Sequence, residues 1–560
     1  MSDFGSANML GSGYEAARKY RDENPSDRII ERTTLPRVLA SIEASDPTAP
    51  ALTWYEEDVR SLHFDYGELL RQIKLLAHRL AADHGVRYRD RVIVISSNSP
   101  EAFVAHLAIM FLGAITVPVS NTESLRVLKI IIEKVSPRIL LTGRGVSPDL
   151  LDVPDQKIAP LPLLPLEGKE TGAGAALPGA SVDVLPDDPA VILFTSGTTS
   201  APKGVCLSHY NLLVNAEGLR RTHNLAVHRT HMCILPLFHA NAFGFSMIGS
   251  IYSANHVVLC AGLPGYSVWS ILRNEHVNIL SSVPEIIRIL TRISVPRETL
   301  PDLKYFVSAA APLSKTVARE FSLKTGIAIH QGYGLSECVN FAATVPWNIS
   351  DANLERAMGD WLVPSIGPEL FGCNVAVRRT DGTPTEAEEE GEIVVSGHTV
   401  MLGYWGAEEA TEAALGNGYL RTGDLGFFAL IDEEPYFFVT GRSKEIVLRY
   451  GENISPLAIE AELEHLTGVG RFAVAGFANE AAGEEIGLYI VAKRTPDNEK
   501  AVLDIVRKCS MRYRPRVVIF GDEPVPATST GKVKRALLAG KFQNYARRNF
   551  GGDPIVGTAL

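Results

Sequence analysis

Between residues 91 and 142 short apolar runs alternate with helical patterns. Arg91-Val92-Ile93-Val94-Ile95 predicts a buried strand, 101–112 a helix, 115–119 a strand, 125–135 a helix and 139–141 a strand. Strand–helix–strand repetition predicts a doubly wound α/β unit. The rhythm starts near Thr34, lapses over 146–189, where Pro, Gly, Ala and Asp predict a surface path, and resumes over 191–321. Glycine-punctuated strand candidates follow over 375–439, among them 391–395 and 436–439. Beyond Gly441 a small α+β unit is expected over 446–534, with a helix over 457–466. The first 33 residues are polar and predict a loosely attached extension. The expected architecture is α/β: an extension (1–33), a large N-terminal domain (34–441) of doubly wound sheets plus a β-rich subdomain, a hinge (442–445), a small mobile α+β C-terminal lid (446–545) and a tail (546–560).

Composition narrows the class. At 560 residues the chain exceeds one ordinary core. Hydrophobic content of 46% and charged content of 21% fit a soluble globular protein, and the net charge of −10 argues against a nucleic-acid surface. The six cysteines show no C-x-x-C pair and read as reduced thiols. The most membrane-like run, 103–119, contains His106, Gly113 and Pro118, and predicts a buried helix running into a strand. With no signal-peptide pattern at the start, a cytoplasmic protein without a membrane partner is expected.

The candidate chemistry begins at Phe194-Thr195-Ser196-Gly197-Thr198-Thr199-Ser200-Ala201-Pro202-Lys203-Gly204-Val205, directly after an apolar strand candidate. Clustered hydroxyls and free amides can wrap phosphate oxygens, and Lys203 adds a point charge. The order excludes a Walker loop, in which Gly-Lys-Ser/Thr closes the motif. In Gln331-Gly332-Tyr333-Gly334-Leu335-Ser336-Glu337, Gly332 and Gly334 would let backbone approach a flat ligand and Tyr333 would offer a face to adenine. Ser336 can donate to a phosphate oxygen, and Glu337 is a hard ligand suited to Mg²⁺ shared with phosphates. Asp424, in Arg421-Thr422-Gly423-Asp424-Leu425-Gly426, can accept from both hydroxyls of a ribose. Thr528-Ser529-Thr530-Gly531-Lys532-Val533-Lys534-Arg535 places a cation near the C-terminus.

Taken in this order, the motifs resemble the adenylate-forming superfamily, and most closely its AMP-dependent acyl/aryl-CoA synthetase branch, over about Thr34 to Lys541. The resemblance implies ATP/AMP, Mg²⁺ and coenzyme A as cofactors, with a carboxylic acid or its acyl-adenylate as substrate. It gives Thr195 to Ser200 and Lys203 to the phosphates, Ala309, Ala310 and Ala311 to the adenine pocket, and Arg442 to ribose or phosphate. Lys444 falls at the hinge, and Lys532 bridges carboxylate and phosphate during adenylation. His239, Ala240 and Asn241, with Gly332, would line the acid pocket, where the small residues Ala240, Ala242 and Gly244 would admit a bulky or long apolar acid. Tyr450, Gly451 and Glu452 would border the pantetheine tunnel. The lid would turn between half-reactions, presenting Lys532 and then the Gly451 face. A homodimer is compatible with this reading.

Two letters depart from the family pattern. Ser200 and Ala309 stand where glycine is usual. At positive φ Ser200 would carry roughly 1–2 kcal/mol of strain. The departures keep open an enzyme that performs only thioester formation from a pre-formed acyl-adenylate. Loading of a carrier protein is a further alternative, as is a non-catalytic nucleotide-binding regulator, against which Glu337, Asp424, Arg442 and Lys532 together argue.

Overall fold

The structure is a computed structural model that describes residues 11–167, 183–195, 202–293, 295, 297–528, 531–551 and 553–558. The elements expected over 91–142 form as Arg91–Ile95, Pro100–Phe111, Ile115–Val119, Leu125–Val135 and Ile139–Thr142. Pro100–Phe111 starts where the Ser99 hydroxyl accepts the Ala102 amide at 3.1 Å, with proline in the first turn. It is apolar all round and lies inside the domain. Leu125–Val135, capped by Ser124, instead buries one stripe, Leu128, Ile131 and Val135.

Four sheets follow. The first has seven strands, ordered Gly403–Tyr404, Lys203–Ser208, Pro189–Thr195, Ile115–Val119, Arg91–Ile95, Ile139–Thr142 and Ile158–Pro160. It is parallel from Pro189–Thr195 to its far edge; Lys203–Ser208 turns back antiparallel, and Gly403–Tyr404 pairs antiparallel on that strand. The second, of eight strands, carries Ala328–Tyr333 beside Tyr305–Ser308 and Ile279–Ser282 in parallel. A four-stranded antiparallel sheet contains Leu420–Ile431 paired with Glu434–Arg442. The last sheet, built on Arg471–Asn479 and Gly483–Val491, forms the small C-terminal domain. The molecule is thus α/β, with a large multi-sheet N-terminal domain and a small α+β lid.

The lid rests on the larger domain through a few polar contacts. Arg471 lies 3.6 Å from Glu285, and Glu464 accepts from the Thr316 amide at 3.2 Å and the Ser314 hydroxyl at 3.4 Å.

Three expectations change. Residues 11–33 are not loose. Tyr14, Ala17, Tyr20 and Ile30 are buried, the Tyr14 hydroxyl donates to the Leu402 carbonyl at 2.9 Å, and Asn374 donates to the Lys19 carbonyl. Sparse apolar residues in a polar stretch anchor it, and their low density hid them from the sequence pattern. The 146–189 segment is not wholly a surface path: Ile158–Pro160 adds an edge strand, and Leu150, Val153, Leu161 and Leu166 are buried. The helix expected over 457–466 is α-helical only over Pro456–Glu462 and tightens to a 3₁₀ turn over Glu464–Gly468. Among the described residues no helix is long and apolar enough to cross a membrane.

Candidate active site

The phosphate-loop sequence joins the strands Pro189–Thr195 and Lys203–Ser208 as an antiparallel hairpin, with Thr195 opposite Lys203. Ser196, Gly197, Thr198, Thr199 and Ser200 lie outside the described residues. The strands fix where the loop leaves and returns. Lys203 is half-buried, its ammonium 4.6 Å from the centre of the Tyr404 ring.

Ala328–Tyr333 delivers Tyr333 at the end of its strand. The Tyr333 hydroxyl donates to Asp424 Oδ2 at 2.7 Å, and Arg442 Nε meets Asp424 Oδ1 at 2.7 Å. Asp424 and Arg442 are register partners on neighbouring antiparallel strands, so the sheet holds the pair together. Asp424 is 3% exposed, which makes both partners necessary to hold its charge. Burial, followed by the Asp424 charge, pushes the Tyr333 phenol well above its ordinary value and keeps it protonated as a donor.

Lys532 reaches this cluster from the lid. Its loop is a tight turn in which the Thr528 amide donates to the Lys532 carbonyl at 2.8 Å and Thr528 Oγ1 accepts the Lys532 amide at 3.1 Å. Gly531, at φ +87°, makes the turn. Burial first, and then the Arg442 charge, lower the Lys532 amine to about 8, while Asp424 and Glu445 pull it upward. Behind the loop, Arg535 is fixed by Glu445 at 2.9 Å and Glu460 at 2.6 Å. Lys532 thus acts electrostatically on Arg442 and on Asp424, which lies about a hundred residues earlier in the chain.

Ser336 and Glu337 occupy a single 3₁₀ turn, Ser336–Cys338. Glu337 Oε1 accepts from the Tyr404 hydroxyl at 2.8 Å. Among the described residues no group of three or more His, Cys, Asp or Glu side chains could hold a metal ion. A lone carboxylate fits Mg²⁺ held mainly by the phosphates of a nucleotide, and not a resident protein-caged metal.

The acid-pocket residues fare unevenly. His239 is half-buried, its ring 4.6 Å from that of Phe238, and burial lowers it to about 4, so it is neutral at pH 7. Asn241 accepts from Ser281 at 2.9 Å and precedes Ala242–Gly249, which is wound as a π-helix. Such wide turns are frequent at functional sites, and no sequence pattern announced this one. Ala240 lies half-buried between them. The expected glycine roles change: a Cβ on Gly332 would fall within 2.7 Å of the Phe341 ring, one on Gly334 1.7 Å from the Asn340 carbonyl, and one on Gly244 2.8 Å from the Asn340 Cβ. In the Cβ direction these glycines leave room for neighbouring protein.

On the adenine side, the left-handed backbone falls on Ala310, φ +68°, and not on Ala309, which is buried; Ala311 is half-buried. Lys444 is exposed in the turn Ser443–Glu445. Tyr450, Gly451 and Glu452 form a hairpin tip on the lid surface, Glu452 paired with Arg512 at 3.3 Å. Sequence reading missed Tyr404: nothing in the spacing ties it to Lys203, about two hundred residues earlier, until the strand pairing brings them together.

The family described as AMP-binding enzymes matches residues 41–405. The chain is 28% identical over 506 residues to a long-chain-fatty-acid–CoA ligase of Mycobacterium tuberculosis, covering 88% of this chain and 96% of the relative. It is 30% identical over 486 residues to a feruloyl-CoA synthase of Amycolatopsis sp, covering 85% and 94%. The crystal structure of ATP-bound MatB from Rhodopseudomonas palustris superposes with a TM-score of 0.79 at 25% identity, over 92% of this chain and 100% of that one. The chain belongs to the AMP-binding enzyme family and, within the adenylate-forming superfamily, to the branch of AMP-forming acyl/aryl-CoA ligases.

Proposed function

We propose that the chain activates a carboxylic acid with ATP and passes the acyl group to coenzyme A, the lid turning between the two steps. A carboxylate oxygen attacks the α-phosphorus, the bond to the β-phosphate bridge breaks, and pyrophosphate leaves. The thiolate of coenzyme A then attacks the acyl carbonyl and AMP departs. The observation that carries the first step is that Lys532, half-buried, lies within electrostatic reach of both Asp424 and Arg442. A cation held there stabilises charge developing on the attacking and bridging oxygens. Asp424 and Arg442 would hold the ribose, Tyr333 the adenine, and Ser336 an α-phosphate oxygen. Glu337 would hold Mg²⁺, which neutralises phosphate charge when bound. Lys203 and the hydroxyl loop would grip the β- and γ-phosphates. His239, neutral and half-buried, would serve as pocket wall and not as a base.

A second reading, thioester formation from a supplied acyl-adenylate, is favoured by Ala310 standing at φ +68° in a run without glycine. The discriminating experiment is pyrophosphate release across aryl, fatty and polycyclic acids, with and without coenzyme A. Acid-dependent release with turnover on free coenzyme A supports the full ligase. No release with any acid, together with thioester formation from supplied acyl-adenylate, supports the second reading. In that case Ala310→Gly should raise release about tenfold or more, the kinetic equivalent of removing roughly 1–2 kcal/mol of strain at its positive φ.

A further inference from the structure

The Lys203 ammonium and the Glu337 carboxylate, read as two separate devices on the pyrophosphate side of the nucleotide, meet on one side chain. The Tyr404 hydroxyl donates to Glu337 Oε1 at 2.8 Å, while the Lys203 ammonium lies 4.6 Å from the Tyr404 ring centroid. Tyr404 is itself held on three sides. Its amide donates to Thr411 Oγ1 at 2.9 Å, Gly403–Tyr404 pairs antiparallel with the strand that begins at Lys203, and the Trp405 amide donates to the Gly204 carbonyl at 2.7 Å. Its residue is 9% exposed. The Glu337 carbonyl also accepts the Met401 amide, from the segment just before Tyr404, at 2.8 Å.

A planar carboxylate fixed through one oxygen has the direction of its second oxygen fixed as well, and that oxygen is the one left to meet a phosphate-bound cation. An aromatic face parks a lysine ammonium without neutralising it, so the charge remains available to a phosphate. We infer that Tyr404 is a positioning residue for the pyrophosphate side of the site: it sets the Glu337 carboxylate and the Lys203 ammonium in register, and thereby serves acyl-adenylate formation and not thiol transfer. The inference rests on the adenylation reading above.

Tyr404→Phe keeps the ring under Lys203 and removes only the hydroxyl; Tyr404→Leu removes both. Four measurements separate the outcomes: acid-dependent pyrophosphate release against Mg·ATP concentration, thioester formation from supplied acyl-adenylate, Mn²⁺ affinity of the ATP complex by electron paramagnetic resonance, and thermal melting. Tyr404→Phe should raise the KM for Mg·ATP and weaken Mn²⁺ binding by about tenfold, the scale of one charge-assisted hydrogen bond. Thioester formation and melting should follow the wild type, and Tyr404→Leu should weaken ATP binding further. Equal loss in both half-reactions, or unchanged Mn²⁺ affinity in Tyr404→Phe, overturns the assignment. If the wild type releases no pyrophosphate with any acid, the adenylation reading fails, and the Mn²⁺ titration still decides the role of Tyr404.

Discussion

Two loops of the lid carry contrasting environments although one small domain presents both. The Gly531–Lys532 turn faces the larger domain: a Cβ added to Gly531 would fall 3.9 Å from the Glu285 Cβ, and Lys532 is half-buried within electrostatic reach of Asp424 and Arg442. The Tyr450–Glu452 tip is exposed, and a side chain added to Gly451 would meet nothing within 4 Å. One lysine amine is lowered to about 8 by its surroundings, while Tyr450 is 63% exposed on the opposite tip. A rigid body that offers two functional loops can dock only one of them into a single cleft. Under the proposed mechanism this arrangement would serve acyl-adenylate formation, and the thiol step would require the lid to turn.

The sharpest way to break this contrast is Lys532→Ala. Pyrophosphate release should fall about 10²–10³-fold, the usual effect of deleting one preorganised charge stabiliser, with transfer from supplied acyl-adenylate retained. Equal loss in both assays would mean that the two loops do not divide the work. The mirror experiment is Gly451→Leu. The φ of +82° at Gly451 penalises a side chain, and the thiol step should slow about tenfold for roughly 1–2 kcal/mol of strain while pyrophosphate release stays at the wild-type rate.

A pH profile sharpens the same comparison without mutation. Lys532 is charged below about 8, so pyrophosphate release should hold steady on the acid side of that value and decline above it. The decline should be about tenfold per pH unit once the amine is neutral. Thiol transfer from supplied acyl-adenylate should show no break there.

A last comparison sets the two domains side by side as folded bodies. Burial lowers His209, His231, His256 and His330 to about 4 and His106 to about 3, all in the larger domain, whereas the lid sequence holds a single histidine, His465. These folded-state values lie below the unfolded value near 6.5. The unfolded chain therefore binds more protons as pH falls, so their contribution is complete above about 6.5 and is lost toward 4. Each costs up to about 1.4 kcal/mol per pH unit in that window. Differential scanning calorimetry should show the large-domain transition moving down between pH 6.5 and 4 ahead of the lid transition.

Much of this was legible in the chain. The strands and helices over 91–142 were readable because continuous β-branched runs and a period near 3.6 leave few alternatives. Of the expected adenine, ribose and lysine residues, Tyr333 and Asp424 are hydrogen-bonded and Lys532 lies within electrostatic reach of Asp424. What misled was chemistry inferred from residue size. Gly244 and Gly332 were read from their small size alone, and the fold adds that Asn340 and Phe341 crowd the space a Cβ would take. The packing of Tyr14 and Tyr20 was invisible for a related reason: isolated aromatics carry no period, and only their distant partners define them.

The sequence by itself determined the α/β class, the family and the residue types that serve a nucleotide, because local pattern and motif order are properties of neighbours along the chain. Only the tertiary structure decided which of the lid's two loops faces the cleft, that left-handed backbone falls on Ala310 rather than Ala309, and that Lys203 and Glu337 share Tyr404. Each of these depends on strand pairing or domain docking across long separations, where burial and electrostatics act between residues that the chain does not place together.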